Sequence, residues 1–305
     1  MNTIQTLTTK NFTWVNVTNP GVKEMEYLEK NYNFHALDLK DCLPPLQRPK
    51  LESRPNYLFM ILLFPVYNQK AKAILPSEID FFISGNLLVT VHSDKLSPLI
   101  GLSKSAQEKS FQEKYLSGSP GILLYEILNR LLLYCFPMLN QISLNIDEAE
   151  KRIFVGYERR MVREILVIKR NIVNFRKIMQ AHKNVIRKLI AKAPQFFSTA
   201  KLNIYFDALV EQTKEIWDFL ENYKEAINAL HETNSSLISF RLNDIMKLLT
   251  IISVTMLPVT LIASIFSMNT PMPFLRFPQA FWVALGGMLL VSLGVISFFR
   301  KKEWM

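Results

Sequence analysis

Two cysteines in 305 residues are too few to staple a fold, and four histidines, His35, His92, His182 and His231, stand at no ligand spacing to cysteines or acids. Cys42 and Cys135 are therefore expected as reduced, inert core thiols. The nine glycines form no Walker loop and no G-x-G-x-x-G. G-x-S-x-G and H-E-x-x-H are also missing. An enzyme is not expected, nor a covalent cofactor. The opening "MNTIQTLTTKNFTWVNV" has no apolar run of the kind that heads a secreted chain, so no signal peptide is expected. Acid is the most telling absence. Met246 to Ser267 has none and a single base, Lys247, while Phe281 to Phe299 has no charge at all.

Those two stretches are long enough to matter. The first would rise about 33 Å as a helix, the thickness of a bilayer core. The second carries Ala284, Gly286, Gly287, Ser292 and Gly294, small residues that let helices approach closely in lipid. Two membrane spans, about 246–267 and 281–299, are expected, joined by an outer loop at 268–280. Arg300, Lys301 and Lys302 follow the second span, and Arg241 and Lys247 lie at or before the first. The loop holds only Arg276 as a base. Positive charge stays on the cytoplasmic side, so both ends are expected there.

The net charge of +10 is concentrated. Lys151 to Lys188 holds twelve Lys and Arg against Glu158 and Glu164. No aromatic platform accompanies the run, so nucleic acid is not an expected partner. An anionic membrane surface, or acids on a neighbouring helix, suits it better.

Residues 12 to 92 pattern as a mixed α/β domain. "FTWVNV" alternates like a strand, Thr18-Asn19-Pro20 offers a helix cap, and "VKEMEYLEKNY" is helical. "YLFMILLFPVY" patterns as a buried strand, and "EIDFFISGNLLVTVH" as two strands joined at Gly85-Asn86. Asp38 and Asp41 are expected as helix-surface charges. From about Gly121 apolar residues recur at helical spacing over long stretches, broken at "APQFF". No proline intervenes between Leu202 and Pro258, so one helix is expected to run into the first span. The domains expected are an α/β domain at 1–120, a long-helix stalk at 121–242 and a membrane domain at 243–305.

One face of the first span is polar. Asn243, Met246, Thr250, Ser253, Leu257, Thr260, Ser264 and Ser267 follow steps of three and four, a single helical stripe. Polar side chains in lipid turn toward protein or water. Two spans cannot enclose a channel, so this stripe lines a pore only in an oligomer. Otherwise it packs helix on helix.

The chain resembles the CorA family of divalent-cation transporters. That family carries Gly-Met-Asn at the outer end of the first of two C-terminal spans, and this chain has Ser267-Met268-Asn269. "NDIMKLLTIISVTMLPVTLIASIFSMN", with Pro258, and the tail "RKKEWM" are similar to the family's first span and basic end. "HALDLKDCL", "RPKLESRPNYLFMIL", "LLVTVH" and "FPMLNQISLNIDEAE" stand upstream in family order. The resemblance implies a funnel-shaped homopentamer in the cell (inner) membrane. An α/β cytosolic domain would lead into long helices and two transmembrane helices, and hydrated Mg2+ would move along the membrane potential.

It implies roles for residues as well. Ser267, Met268 and Asn269 would form the selectivity filter. Asn243, Met246, Leu249, Thr250, Ser253, Leu257, Thr260 and Ser264 would line the path, with Met246 and Leu257 as constrictions that gate by dewetting. Arg300, Lys301 and Lys302 would form a basic cytoplasmic belt. Asp207 and Glu211, in "YFDALVEQ", fall on or beside the positions where the family binds regulatory Mg2+ between subunits. The chain departs from the pattern in Ser267 for glycine, Ala208 for an acid, and a loop with no acid. A Zn2+, Co2+ or Ni2+ transporter, or a non-conducting membrane-anchored scaffold, stands as the alternative.

Overall fold

A computed structural model of the chain describes residues 3–116, 118–156, 158–197, 202–268 and 279–302. The chain divides into two compact units, Met1–His231 and Glu232–Met305. The first unit opens with β1 (Ile4–Thr8), β2 (Thr13–Thr18), α1 (Val22–Tyr32), α2 (Ala36–Asp41), β3 (Lys50–Ser53), β4 (Leu58–Asn68), β5 (Ala73–Ile83) and β6 (Leu87–His92). Helices follow: α3 (Ser97–Ser105), α4 (Lys109–Phe111), α5 (Pro120–Leu133), α6 (Cys135–Phe154), α7 (Glu158–Met179) and α8 (His182–Lys192). A wide turn at Gln112–Leu116 precedes α5, and a 3-10 turn at Ala193–Gln195 ends α8. Helix α9 (Asn203–Ser267) begins in the first unit and ends in the second, where α10 (Ala280–Lys301) follows.

Six strands form one sheet in the order β1-β2-β6-β5-β4-β3, with β2 and β6 parallel and every other pair antiparallel. The two central hairpins follow the sequence pattern. β5 pairs with β4 from Ile83 to Ala73 and with β6 across the Gly85-Asn86 turn, closed by a bond from the Ser84 N–H to the Leu87 carbonyl. Strand alternation sorts the side chains. Val15, Val17, Phe59, Ile61, Phe82, Val89 and Val91 pack with Met25, Leu28, Leu39 and Cys42 from α1, α2 and the turn after it. The opposite face carries a buried polar set. Trp14 Nε1 donates to Thr90 Oγ1 at 3.1 Å, and Thr90 Oγ1 donates to Asn16 Oδ1 at 2.7 Å. His92 Nε2 lies 3.0 Å from the same Asn16 oxygen. Helices α5, α7 and α8 contact this sheet, so it is buried on both sides.

Two local expectations need correction. The cap of α1 is Gly21, not Thr18-Asn19-Pro20: the Glu24 carboxylate accepts from the Gly21 N–H at 3.0 Å. Asn19 instead takes a left-handed conformation, φ 56°, and its Oδ1 accepts from the Asp94 N–H. Asp38 is not a surface charge but is 1% exposed. Asp41, expected beside it on the surface, pairs with Lys50 at 2.8 Å. Cys42 and Cys135 are buried and unpaired with each other, as expected. The basic run finds acids on its neighbours in part: Arg176 pairs with Glu221 of α9, and Arg152 with Glu148 and Glu164.

His182 lies fully buried, edge-on to Phe64 at 4.9 Å. Burial pushes its pKa down to about 4. A neutral buried imidazole stabilises the fold fully above the ordinary histidine pKa of about 6.5, and that stability drains away as pH falls toward 4. Glu78, pushed up to about 7 by burial, acts in the opposite sense, so the wild-type profile mixes both. Comparison with His182→Leu isolates the histidine. Between pH 7 and pH 5 the wild type should lose about 2 kcal/mol more than the variant. Thermal unfolding of the detergent-solubilised chain checks this, and equal losses would place His182 in contact with water.

Candidate functional site

Among the described residues three helical stretches are long and apolar enough to cross a membrane: Pro120–Phe154, Asn203–Ser267 and Phe281–Lys301. Burial separates them. The apolar window of the first is 50% covered, with Leu123, Leu124, Ile127, Leu128, Leu131 and Leu132 inside the first unit. It is a core element. The other two windows are 6% and 0% covered, and Leu, Ile, Val and Phe on them face outward. Such apolar exposure is stable only in lipid or against further chains.

In the second unit each span carries one covered face. On α9 it comprises Ile251, buried, with Lys247, Thr255, Val259, Ile262 and Phe266 half-buried. On α10 it comprises Ala284, Met288, Ser292, Val295 and the buried Phe299. The polar stripe of α9 points elsewhere. Asn243, Met246, Leu249, Thr250, Ser253, Leu257, Thr260, Ser264 and Ser267 are all exposed. With 3.6 residues per turn the centre of this stripe lies roughly 180° around the helix from the covered face. One side of α9 is thus occupied within the chain, and the hydroxyl-bearing side is left open.

Three of the stripe's five hydroxyls are already half satisfied. Thr250 Oγ1 donates to the Met246 carbonyl at 2.8 Å, Thr260 Oγ1 to the Leu257 carbonyl at 2.9 Å, and Ser267 Oγ to the Ser264 carbonyl at 3.0 Å. Each hydroxyl hydrogen is spent on the helix, which leaves oxygen lone pairs outward. Such oxygens accept hydrogens from water, the outer surface of a hydrated cation. Pro258 sits inside α9. Lacking an N–H, it frees the carbonyl four residues earlier, that of Val254.

At its C-terminal end α9 stops at Ser267, with Met268 54% exposed. Asn269 and Arg276 lie outside the described residues, as does most of the expected loop. Arg300 and Lys301 occupy the last turn of α10, where their charge complements the helix dipole, and Lys302 follows exposed. Asp207 and Glu211 are one turn apart and exposed on the first-unit part of α9. Glu211, Glu215 and Asp218 line a depression of about 640 Å³ with Ala208 and Phe219. Among the described residues no group of three or more His, Cys, Asp or Glu is gathered to hold a metal ion.

Sequence reasoning missed the tie between α2 and the start of β4. Arg54 Nη2 and Nε donate to the two carboxylate oxygens of Asp38 at 2.5 and 2.9 Å, and Tyr57 Oη donates to Asp38 Oδ2 at 2.7 Å. Tyr57 Oη in turn accepts from the His35 N–H at 2.9 Å. Burial pushes the Asp38 carboxyl up, but the Arg54 and Tyr57 bonds outweigh it and hold the pKa below the ordinary value. The only sequence signal was the pairing of an acid in "HALDLKD" with an arginine in "RPNY".

Residues 9–301 match the family described as CorA-like Mg2+ transporter protein. Among curated proteins, the cobalt/magnesium transport protein CorA of Methanocaldococcus jannaschii is 26% identical over 292 residues, 95% of this chain and 90% of that one. The protein of the same name from Thermotoga maritima is 26% identical over 303 residues, 96% of this chain and 83% of that one. The fold is similar to the complete structure of the CorA magnesium transporter from Methanocaldococcus jannaschii. The TM-score is 0.85 at 24% identity, over 98% of this chain and 94% of that chain.

Proposed function

The chain belongs to the CorA-like Mg2+ transporter protein family, and from that premise we propose that five copies enclose a pore lined by the polar stripe of α9, through which divalent cations cross the cell (inner) membrane. The observation that carries the proposal is the orientation of that stripe, open and opposite the face α9 covers within its own chain. Mg2+ is the leading cargo and Co2+ the second, with Zn2+ and Ni2+ behind. Mg2+ parts with its waters reluctantly, so oxygen lone pairs of Thr250, Thr260 and Asn269 hold the hydration shell rather than the bare ion. Met246 and Leu257 are the apolar constrictions. The 1–120 domain and the 121–242 stalk lie in the cytosol, and both termini are cytoplasmic. Asp207 and Glu211 stand as the candidate regulatory pair. Native mass spectrometry in detergent tests the assembly: five chains are expected, and a monomer or dimer would leave no enclosed path.

The acid-free loop makes a second prediction. Five copies of Arg276, the only charge in the loop, would repel cations over a Debye length of about 8 Å at physiological salt. Arg276→Glu should raise Mg2+ uptake severalfold at low external Mg2+ and low ionic strength, and the gain should shrink as salt screens the mouth. Uptake unchanged at low salt would place Arg276 among lipid headgroups instead.

A further inference from the structure

The α/β unit holds a cavity of about 510 Å³ at the end of the α1/α2 face of the sheet, remote in sequence from the spans. Its walls are of two kinds. Pro44, Pro45, Leu46, Pro76 and Val91 are apolar, while Glu78 and Asp80 are carboxylic. The two acids are neighbours on one face of β5, and Asp80 stands opposite Ile61 and Val91, in what is otherwise an apolar layer. Asp80 is 2% exposed, and its Oδ1 has no hydrogen-bond partner among the described residues. A buried carboxyl oxygen left without a partner costs on the order of 1–3 kcal/mol. Packing does not explain it, because an apolar residue would fill the layer better.

The charges around the cavity do not relieve it. Lys50 is committed to Asp41 at 2.8 Å. Lys95 lines the cavity, but among the described residues it makes no ion pair with Asp80. His92 holds the Ser93 carbonyl at 2.7 Å and Asn16 at 3.0 Å, and burial lowers its pKa, which keeps it neutral. Burial raises the Cys42 thiol. Glu78 accepts from the Gln47 N–H, which leaves its other oxygen available. None of these groups forms an ion pair with Asp80 among the described residues, and the side chain that meets it is the neutral Cys42 thiol.

We propose that this cavity binds a small primary amine, its ammonium held by Asp80 and Glu78 and its methylenes lying against Pro44, Pro45, Leu46 and Pro76. An ammonium brings three donors and one positive charge. Ser77 Oγ and Ser93 Oγ, 3.1 Å apart, offer further acceptors at the wall. A bare metal ion fits worse, because among the described residues no set of three His, Cys, Asp or Glu side chains is gathered to coordinate one. The volume suits a chain of a few carbons. Burial raises the pKa of both carboxyls, that of Glu78 to about 7, so binding an ammonium releases protons and affinity falls as pH drops below about 7. The site is independent of the pore.

Calorimetric titration of the purified full-length chain with 1,4-diaminobutane tests it. Saturable binding at millimolar concentration or tighter is expected at pH 8, weaker at pH 6 by up to about tenfold per pH unit for each proton released. Asp80→Asn keeps the shape and removes the charge, and should weaken binding at least about tenfold. Butanol, with the apolar body and no ammonium, should not bind. No heat of binding to the wild type, equal binding by Asp80→Asn, equal binding of butanol, or displacement of the amine by Mg2+ alone at equal concentration would each overturn the proposal.

Discussion

Asn269→Ala should reduce Mg2+ uptake at least about tenfold, the largest functional loss expected from any single change in this chain. In the proposed ring of five, the substitution would delete five amide carbonyls at the pore mouth. On the proposed mechanism each carbonyl would accept a hydrogen from the cation's water shell, and in a narrow water-poor entrance such bonds would be worth more than in bulk solvent. The ring cannot be replaced by the hydroxyls below it, whose hydrogens are bound to the helix at Thr250, Thr260 and Ser267 and which sit deeper. Ser267→Gly is the control. Ser267 already completes the last turn of α9 by donating to Ser264, so a glycine there should change uptake only modestly. Uptake assays on cells expressing each variant at matched membrane levels separate the two. A parent-like Asn269→Ala channel would show that selection occurs elsewhere on the stripe.

The largest stability loss should come from Asp38→Ala. That carboxylate joins α2 to the turn before β4 through two bonds from Arg54 and one from Tyr57. Its removal leaves the Tyr57 hydroxyl and the guanidinium without their acceptor. Breaking a fully buried pair costs about 3–5 kcal/mol; Arg54 remains 29% exposed and can recover some hydration, so about 3 kcal/mol is expected. For a unit of this size that lowers the thermal midpoint by roughly 6–12 °C. Asp38→Asn, which keeps acceptor geometry without charge, should fall between. Because the Asp38 pKa is depressed on folding, its contribution is present at neutral pH and is lost only as pH drops below the ordinary carboxylate value. A midpoint within a degree or two of wild type would mean that water already shares the pair.

The sequence was most legible where one physical demand dominated. A proline-free run from Leu202 and an acid-free span predicted a helix as long as α9, because no local signal competed. Alternation and the Gly85-Asn86 turn predicted the β5–β6 hairpin for the same reason. Legibility failed where partners come from afar. β1 and β3 are short edge strands fixed by pairing with β2 and β4, and their own composition announces little. Asp38 has the spacing of a surface charge on a short helix; only the arrival of Arg54 and Tyr57 makes it interior. Asp80 sits in "EIDFFI", where a strand pattern predicts a residue that alternates outward, yet the sheet is covered on both faces. The polar stripe itself was readable from spacing, but its direction away from the covered face of α9 required the packing of the second unit.

The central claim is conduction through a pore of α9 helices, and Mg2+ flux into liposomes holding only this purified protein tests it most directly. Under an inside-negative potential, saturable Mg2+ entry is predicted, competed by Co2+ and lost with Asn269→Ala. Proteoliposomes that hold folded pentamers yet pass no Mg2+, Co2+, Zn2+ or Ni2+ under that potential would contradict the account and leave a membrane-anchored scaffold in its place.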